Sequence, residues 1–593
     1  MCGIAGWHQN NSLSSEEGER RIAVLGAEIK NRGPDGSGSW ASNDYSTGLV
    51  HARLSILDLT DASAQPFRDE ASGAIIVYNG EIYNYRELRR ELRESGLQFH
   101  SDGDTEVLLA GYLRHGSAFL RRVRGMFVFA IYDPRNDSFI LARDENGIKP
   151  LYVGAHDGGI FFGSTAGAVA SVTLPGGSPA AAVSLAVLGC VIEPLSPWAD
   201  VVAVAPGSIV TFKRNDGGLT KMVEMFARPE KGDMASPSLE RLGRSLADSV
   251  AAHFVSDVPV GIFQSGGVDS SLLSTLAVEQ GARPTLITIG FDEFRGTDFD
   301  EVPSASIVAK TLGLEHCAKY YSREECNELL VKYFNDMATP TVDGLNNYLA
   351  SHFCRTLGLK VALSGCGGDE WTGGYPSYRQ IPLASRTLKI ADRVGARGAV
   401  QLLVRRLGPL IADRYPKARH AAEYLWQVRD LYLLRKSLHL PSELGGLLTH
   451  EAIDAGLDEF LGAYEDLVGA PTVADAAEVG RMESAVYLRC MLLKDADWTS
   501  MAHGVELRTP FVDTPLWSEV FPARETLRYS KSSMRALLEQ RRPELAQIRK
   551  KKTGFYVPHR HWNGPDEAAL SWSEGQRAWC RKVLVAKFPE YAL

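Results

Sequence analysis

The sequence predicts an α/β protein made of two unlike units, and three observations carry that reading. The chain has 593 residues, and at about 100–200 residues per domain it needs more than one core. Residues 2–220 read as short apolar strands broken by Gly, Asn and Asp turns. Residues 237–593 read instead as apolar strands alternating with helical segments, the pattern of a parallel sheet with helices on its faces. Between the two lies a polar, proline-containing stretch, residues 228–238 (RPEKGDMASPS), which is the natural linker.

In the first unit the strands are expected at residues 74–78 (AIIVY), 126–132 (MFVFAIY) and 139–142 (FILA). Residues 85–95 read as a helix with Glu and Arg on a solvated face. Asp104 opens DTEVLLAGYLRH, an apolar helix with Asp104 as its N-cap. In the second unit strands are expected at residues 258–263 (VPVGIF), 285–290 (TLITIG) and 360–363 (KVAL). Helices follow the first strand and cover 303–314, and the chain beyond residue 380 is mainly helical with Arg-rich amphipathic faces.

Composition narrows the function. Hydrophobic residues make up 45% and charged residues 23%, as in ordinary globular proteins. A net charge of -8 argues against a general nucleic-acid binder, whose phosphate contacts need a basic surface. No apolar run approaches the ~20 residues of a membrane span, and MCGIAGWHQNN has neither the basic nor the long apolar region of a secretory signal. Eight scattered cysteines without a CxxC pair form neither a disulfide framework nor a zinc site, so the reducing cytoplasm is the expected compartment.

Two groups of residues bear chemistry. Cys2 stands directly after the initiator methionine, whose removal leaves a free α-amine with a pKa of about 7.7–8.0 next to the thiol. That amine can serve as the base for its own nucleophile; the same position also suits a buried free thiol. Gly3-Ile4-Ala5-Gly6 reads as a closely packed edge strand. Arg53, ending a strand in HARLSILDL, can clamp a carboxylate with two parallel hydrogen bonds. Asn79 and the Gly80 backbone NH can donate to an oxyanion, and Glu81 and Asp104 can accept from a substrate ammonium. In the second unit Gln264-Ser265-Gly266-Gly267-Val268-Asp269-Ser270-Ser271 lies between a strand and a helix. Glycines there expose backbone NH groups to a phosphate, and Asp269 can hold Mg²⁺. Ser364-Gly365-Cys366-Gly367-Gly368-Asp369-Glu370 repeats the layout after another strand.

Together, MCGIAGW, HARLSILDL, YNGEIYNY and SDGDTEVLL resemble the class II glutamine amidotransferase domain, with RGMFVFAIYD and RDENGIKPLY extending the match. The resemblance implies an Ntn-hydrolase αββα sandwich in which Cys2 releases ammonia from glutamine. Arg53, Asn79, Gly80, Glu81 and Asp104 would bind glutamine, and Asn79 with Gly80 would form the oxyanion hole. SGGVDSS resembles the PP-loop of ATP pyrophosphatases. With SGCGGDE, MAHGVELRTPFVD and KKKTGFYVP, the whole resembles glutamine-dependent asparagine synthetase. That family implies ATP and Mg²⁺, adenylation of a carboxylic acid acceptor, and ammonia reaching it through an internal tunnel. By match, Ser265, Gly266, Gly267, Asp269 and Ser270 hold pyrophosphate, and Ile289, Ser364 and Gly365 contact ATP. Asp269 and Asp369 take the metal, and Lys552 stabilises the charged transition state. Arg508 and Asp513 match the helical part, with a structural role, and the resemblance suggests a homodimer.

Three departures from the family pattern bear on the acceptor. Cys366 replaces the usual acid of SG[ED]G, Gln264 replaces a Leu, and Gly163-Ser164-Thr165-Ala166 lacks an expected Glu. The alternatives are the same chemistry on another carboxylate, a ring-forming amide synthetase that needs no ammonia, and a non-catalytic protein that keeps the fold. A sugar-phosphate amidotransferase would lack SGGVDSS, and a tRNA-modifying PP-loop enzyme would lack the Cys2 set.

Overall fold

The structure, a computed structural model, describes residues 2–215, 218–226, 236–412, 415–472, 474–521, 527–546, 548, 556–558, 562 and 572–593. Twelve strands lie among the described residues of the first unit. They are β1 (Gly3–Gln9), β2 (Gly36–Ala41), β3 (Thr47–Arg53), β4 (Phe67–Arg68), β5 (Ile75–Ile82), β6 (Gly125–Asp133), β7 (Ser138–Arg143), β8 (Tyr152–His156), β9 (Gly159–Gly163), β10 (Val201–Ala203), β11 (Ser208–Asn215) and β12 (Gly218–Met225). They form two six-stranded antiparallel sheets, ordered β10-β8-β9-β1-β3-β2 and β12-β11-β7-β6-β5-β4.

Alternation decides the layers. Ile4, Leu49, Val77, Val128, Leu141 and Phe162 point between the sheets and are fully buried there, each contributing about 1.5–3 kcal/mol. The opposite faces are covered by helices. Ser15–Ile29 and Ala166–Thr173 pack on the first sheet; Tyr85–Glu94 and Asp104–His115 pack on the second. The result is an αββα sandwich, as the resemblance implies. β1 corrects one expectation: it is not an edge strand, because β3 and β9 flank it on both sides. Gly6 explains how it fits, since a Cβ there would lie 2.2 Å from the Gly48 carbonyl oxygen.

The second unit holds one parallel sheet of β13 (Val260–Phe263), β14 (Thr285–Phe291), β15 (His316–Tyr321), β16 (Val361–Leu363) and β17 (Glu506–Arg508), ordered β15-β14-β13-β16-β17. The order reverses between β13 and β16. Beyond residue 368 the elements among the described residues are helices apart from β17. No helix among the described residues is long and apolar enough to cross a membrane. Of the expected linker, residues 228–235 lie outside the described residues; Ser238 caps the next helix, Leu239–His253.

Buried ion pairs join the units. Arg32 donates to both carboxylate oxygens of Asp497, at 2.8 and 3.1 Å, and the Lys149 ammonium stands 3.5 Å from the same group. Burial alone would raise the Asp497 pKa, but the two cations outweigh it and hold it below the ordinary 3.8. A depressed carboxyl adds stability that is complete above its unfolded value and lost as pH falls through the folded one. Asp497→Asn leaves two buried cations without their anion, which is expected to cost about 3–5 kcal/mol at pH 7. The deficit relative to wild type should shrink below pH about 4, as measured by thermal melts at the two pH values.

Candidate functional site

The thiol cleft forms where β1 begins. The Cys2 backbone NH donates to Asn79 Oδ1 at 2.9 Å, and the Cys2 carbonyl accepts from Arg32 Nε at 3.2 Å. Asn79 is wholly buried in β5, and its Nδ2 has no acceptor among the described residues. That leaves a donor beside the thiol, which is the provision an oxyanion needs. At Gly80 a Cβ would sit 2.2 Å from the Met126 carbonyl oxygen, so only glycine lets β5 and β6 close there. Burial pushes the Cys2 thiol above its ordinary 9.0, so a base must take its proton at neutral pH.

Cys2, Arg53, Tyr78, Gly80, Glu81 and Asp104 line one cleft. Arg53 donates to the Thr60 and Asp58 carbonyls, at 2.8 and 2.5 Å. Asp104 is not an N-cap. Gly103 holds that position, and Asp104 turns inward to accept from the Tyr78 hydroxyl at 2.8 Å and the Ile82 NH at 3.0 Å. Burial raises its pKa. One Glu81 oxygen accepts from Arg508; the other, Oε1, is buried without a partner among the described residues.

The second site stands at the reversal of the parallel sheet, where loops leaving adjacent strands part to make a crevice. The loop after β13 is a tight serine turn. Ser265 Oγ lies 3.0 Å from Ser270 Oγ and accepts from the Gly267 NH at 3.2 Å. Gly266 has φ +72, and a Cβ there would lie 2.4 Å from Ser304 Cβ. Gly267 caps the helix Val268–Glu279 with no side chain on its first NH groups, which leaves them to an anion. Gln264 now has a physical reason. Its buried amide meets the Ser270, Ser271 and Ser274 hydroxyls at 3.2, 3.2 and 2.7 Å, and a Leu there would take that partner from the buried Ser271 and Ser274.

The loop after β16 packs against the first one. A Cβ at Gly365 would lie 3.1 Å from Asp269 Cβ. The Ser364 NH donates to the Arg508 carbonyl at 2.8 Å. Ile289 is buried in β14, two residues past Ile287, whose carbonyl accepts from the Gln264 NH at 2.9 Å. Lys531 escaped the sequence reading: its ammonium joins Asp269 to Asp369, the latter at 2.9 Å. A lysine in the first turn of the helix Lys531–Arg541 opposes the helix dipole, and that was the available signal. Among the described residues no three ligating side chains converge. Asp269 and Asp369 fit a Mg²⁺ held mostly by water and phosphate oxygens. Lys552 lies outside the described residues.

Next to Asp369 opens a cavity of about 750 Å³, walled by Leu188, Tyr375, Lys436, Tyr487 and Trp579. Lys436 pairs with Glu483 at 2.9 Å and stands 4.0 Å over the Tyr487 ring. Burial, with Glu370 and Asp369 adding to it, drives the Cys366 thiol far above 9.0, so it stays neutral. At the third departure, Ser164 Oγ accepts from the Ile4 NH at 3.1 Å and Thr165 caps the helix Ala166–Thr173. All eight cysteines are free thiols.

Residues 1–222 match a glutamine amidotransferase domain family, and residues 241–578 match the asparagine synthase family. That pairing places the chain in the class of ATP-dependent amidotransferase ligases. It is 32% identical to "Asparagine synthetase [glutamine-hydrolyzing] 1" of Bacillus subtilis (strain 168) over 577 residues, 95% of this chain and 88% of that one. It is 32% identical over 610 residues, 97% and 90% of the two chains, to a "Putative asparagine synthetase [glutamine-hydrolyzing]" of Mycobacterium tuberculosis (strain ATCC 25618 / H37Rv). "Amidase chry2" of Gibberella zeae is 29% identical over 418 residues, 65% of this chain and 61% of that one. The chain belongs to the glutamine-dependent asparagine synthase family.

Gly266→Ala is expected to abolish ATP-dependent pyrophosphate release, because the new methyl meets Ser304 in a left-handed backbone. Hydrolysis of glutamine should survive, and a pyrophosphate assay run beside a glutamate assay checks both.

Proposed function

We propose that the chain hydrolyses glutamine at Cys2 and uses the ammonia to convert an adenylated carboxylate into an amide, with aspartate as the default acceptor. The observation that carries this reading is the unpaired Asn79 donor beside Cys2, in a chain that also sets two glycine loops at a sheet reversal. In the first step the Cys2 sulfur bonds to the amide carbon and the α-amine takes the thiol proton. Asn79 and the Gly80 NH steady the oxyanion, and ammonia leaves. Water then cleaves the thioester to glutamate and restores the thiol.

In the second site the acceptor carboxylate attacks the α-phosphorus of ATP and pyrophosphate departs. Ser265, Ser270, the Gly266-Gly267 turn and the uncapped NH groups that open the helix Val268–Glu279 bind the departing phosphates, with Lys531 beside them. Asp269 and Asp369 would hold Mg²⁺, which would neutralise phosphate charge. Ammonia then bonds to the acyl carbon and AMP leaves. Cys2→Ala is expected to lower glutamine-dependent amide formation by at least about a thousandfold. Amide formation from ammonium chloride should persist within about twofold, because the cleft that Cys2 lines includes no residue of the nucleotide loops. Equal loss with both nitrogen sources, read by product mass, counts against two separate sites.

A second reading concerns the acceptor. Cys366 is a neutral thiol where the family carries an acid, and a thiol held protonated does not accept a proton from attacking ammonia. The neighbouring cavity is walled by aromatic rings, and its volume of about 750 Å³ lies in the roughly 300–1,000 Å³ range of sites for larger ligands. The cavity favours a bulkier carboxylate than aspartate, and the thiol marks the departure in the loop beside it. Incubation of isotope-labelled aspartate and a panel of aryl and alkyl carboxylates with glutamine and ATP decides it. Labelled asparagine supports the default, and an amide on a panel acid without asparagine supports the second reading.

A further inference from the structure

One residue of the second unit is built into the wall of the thiol cleft. Arg508 ends β17 and is fully buried. Its Nε donates to Glu506 at 2.5 Å, and Nη1 donates to the His253 and Val255 carbonyls at 2.8 and 2.7 Å. Those three bonds lie within its own unit and fix the plane of the guanidinium. The remaining corner, Nη2, reaches across the interface to Glu81 Oε2 at 3.0 Å. A planar fork held at three points cannot follow a rotating partner, so Glu81 must conform to Arg508. The other Glu81 oxygen is then left unpaired in a residue that lines the cleft. A buried acceptor held in that way suits a substrate ammonium.

We propose that Arg508 is a positioning residue for the amido donor, lent by the synthase unit to the amidotransferase cleft. It acts through Glu81, which it turns so that Oε1 meets the α-ammonium of the bound amino acid. The inference rests on the reading of this cleft as the glutamine site. Only the Arg508 side chain serves the cleft. Its carbonyl, which accepts from the Ser364 NH of the nucleotide loop at 2.8 Å, stays in place when the side chain is changed, so the two activities are separable.

The test is a pair of cycles on the full chain, with Arg508→Met and Arg508→Lys each made in the wild-type and Glu81→Gln backgrounds. Initial rates are measured against glutamine and against ammonium chloride. In the wild-type background both variants are expected to raise the KM for glutamine at least about tenfold, the loss of one hydrogen bond to a charged group. Ammonia-dependent amide formation should stay within about twofold. In the Glu81→Gln background the same changes should add less than about twofold to that KM, because the partner they act through is already altered. Arg508→Lys keeps the buried charge and removes the fork, so it reports on positioning if Arg508→Met does not fold. An unchanged KM in the wild-type background, or an equal rise in both backgrounds, overturns the inference. A wild-type protein that releases no glutamate from glutamine overturns the reading beneath it instead.

Discussion

Buried charges fix how the two units meet, across an interface that also packs apolar residues such as Ala182 and Leu185 against Phe460. Arg32 and Arg508 are buried, and each donates to carboxylates and carbonyls held in fixed places on both sides of the interface. Removing an ion from water costs several kcal/mol even after relaxation, and the cost is recovered only when every bond is met. Such a set does not slide. A shift of one unit against the other would break the Arg32–Asp497 and Arg508–Glu81 pairs together. These pairs therefore set the register of the interface, while the apolar clusters shared by the two units hold it closed.

Within that register each site is made by close approach. In the first, Gly80 lets two strands meet so that Asn79 can reach the backbone of Cys2. In the second, Gly266 and Gly365 bring two loops within contact of each other and of Ser304. The same economy explains Gln264, which serves three hydroxyls from beneath the turn. Glycine makes the room and buried polar side chains hold the result, so flexibility in composition becomes rigidity in the fold.

Features with a local cause were legible in the sequence. The strand at Ile75–Ile82, the helix at Asp104–His115 and both loop motifs follow from periodicity and from glycine beside a strand. The residues Cys2, Arg53, Gly80, Glu81 and Asp104 were named from short motifs, and the structure brings them to one cleft. Features with a remote cause were not legible. Whether β1 is an edge or a centre depends on β9, far along the chain. The capping role assigned to Asp104 failed because Tyr78 and Ile82 compete for its carboxylate. Lys531 reaches Asp369 from 162 residues away, and nothing near it in the chain announces that partner.

The contact between Glu81 and Arg508 also has a meaning in time. The two residues are 427 positions apart. At the usual pace of about 5–20 residues per second, a ribosome that has finished the first of them needs roughly 20–90 s to reach the second. For the later part of that interval, once residue 225 has been made, the amino-terminal sandwich has all its described strands, yet one wall of its cleft still lacks its support. On the positioning role proposed for Arg508, a growing polypeptide would hold the amido donor only weakly until the half that uses the ammonia exists.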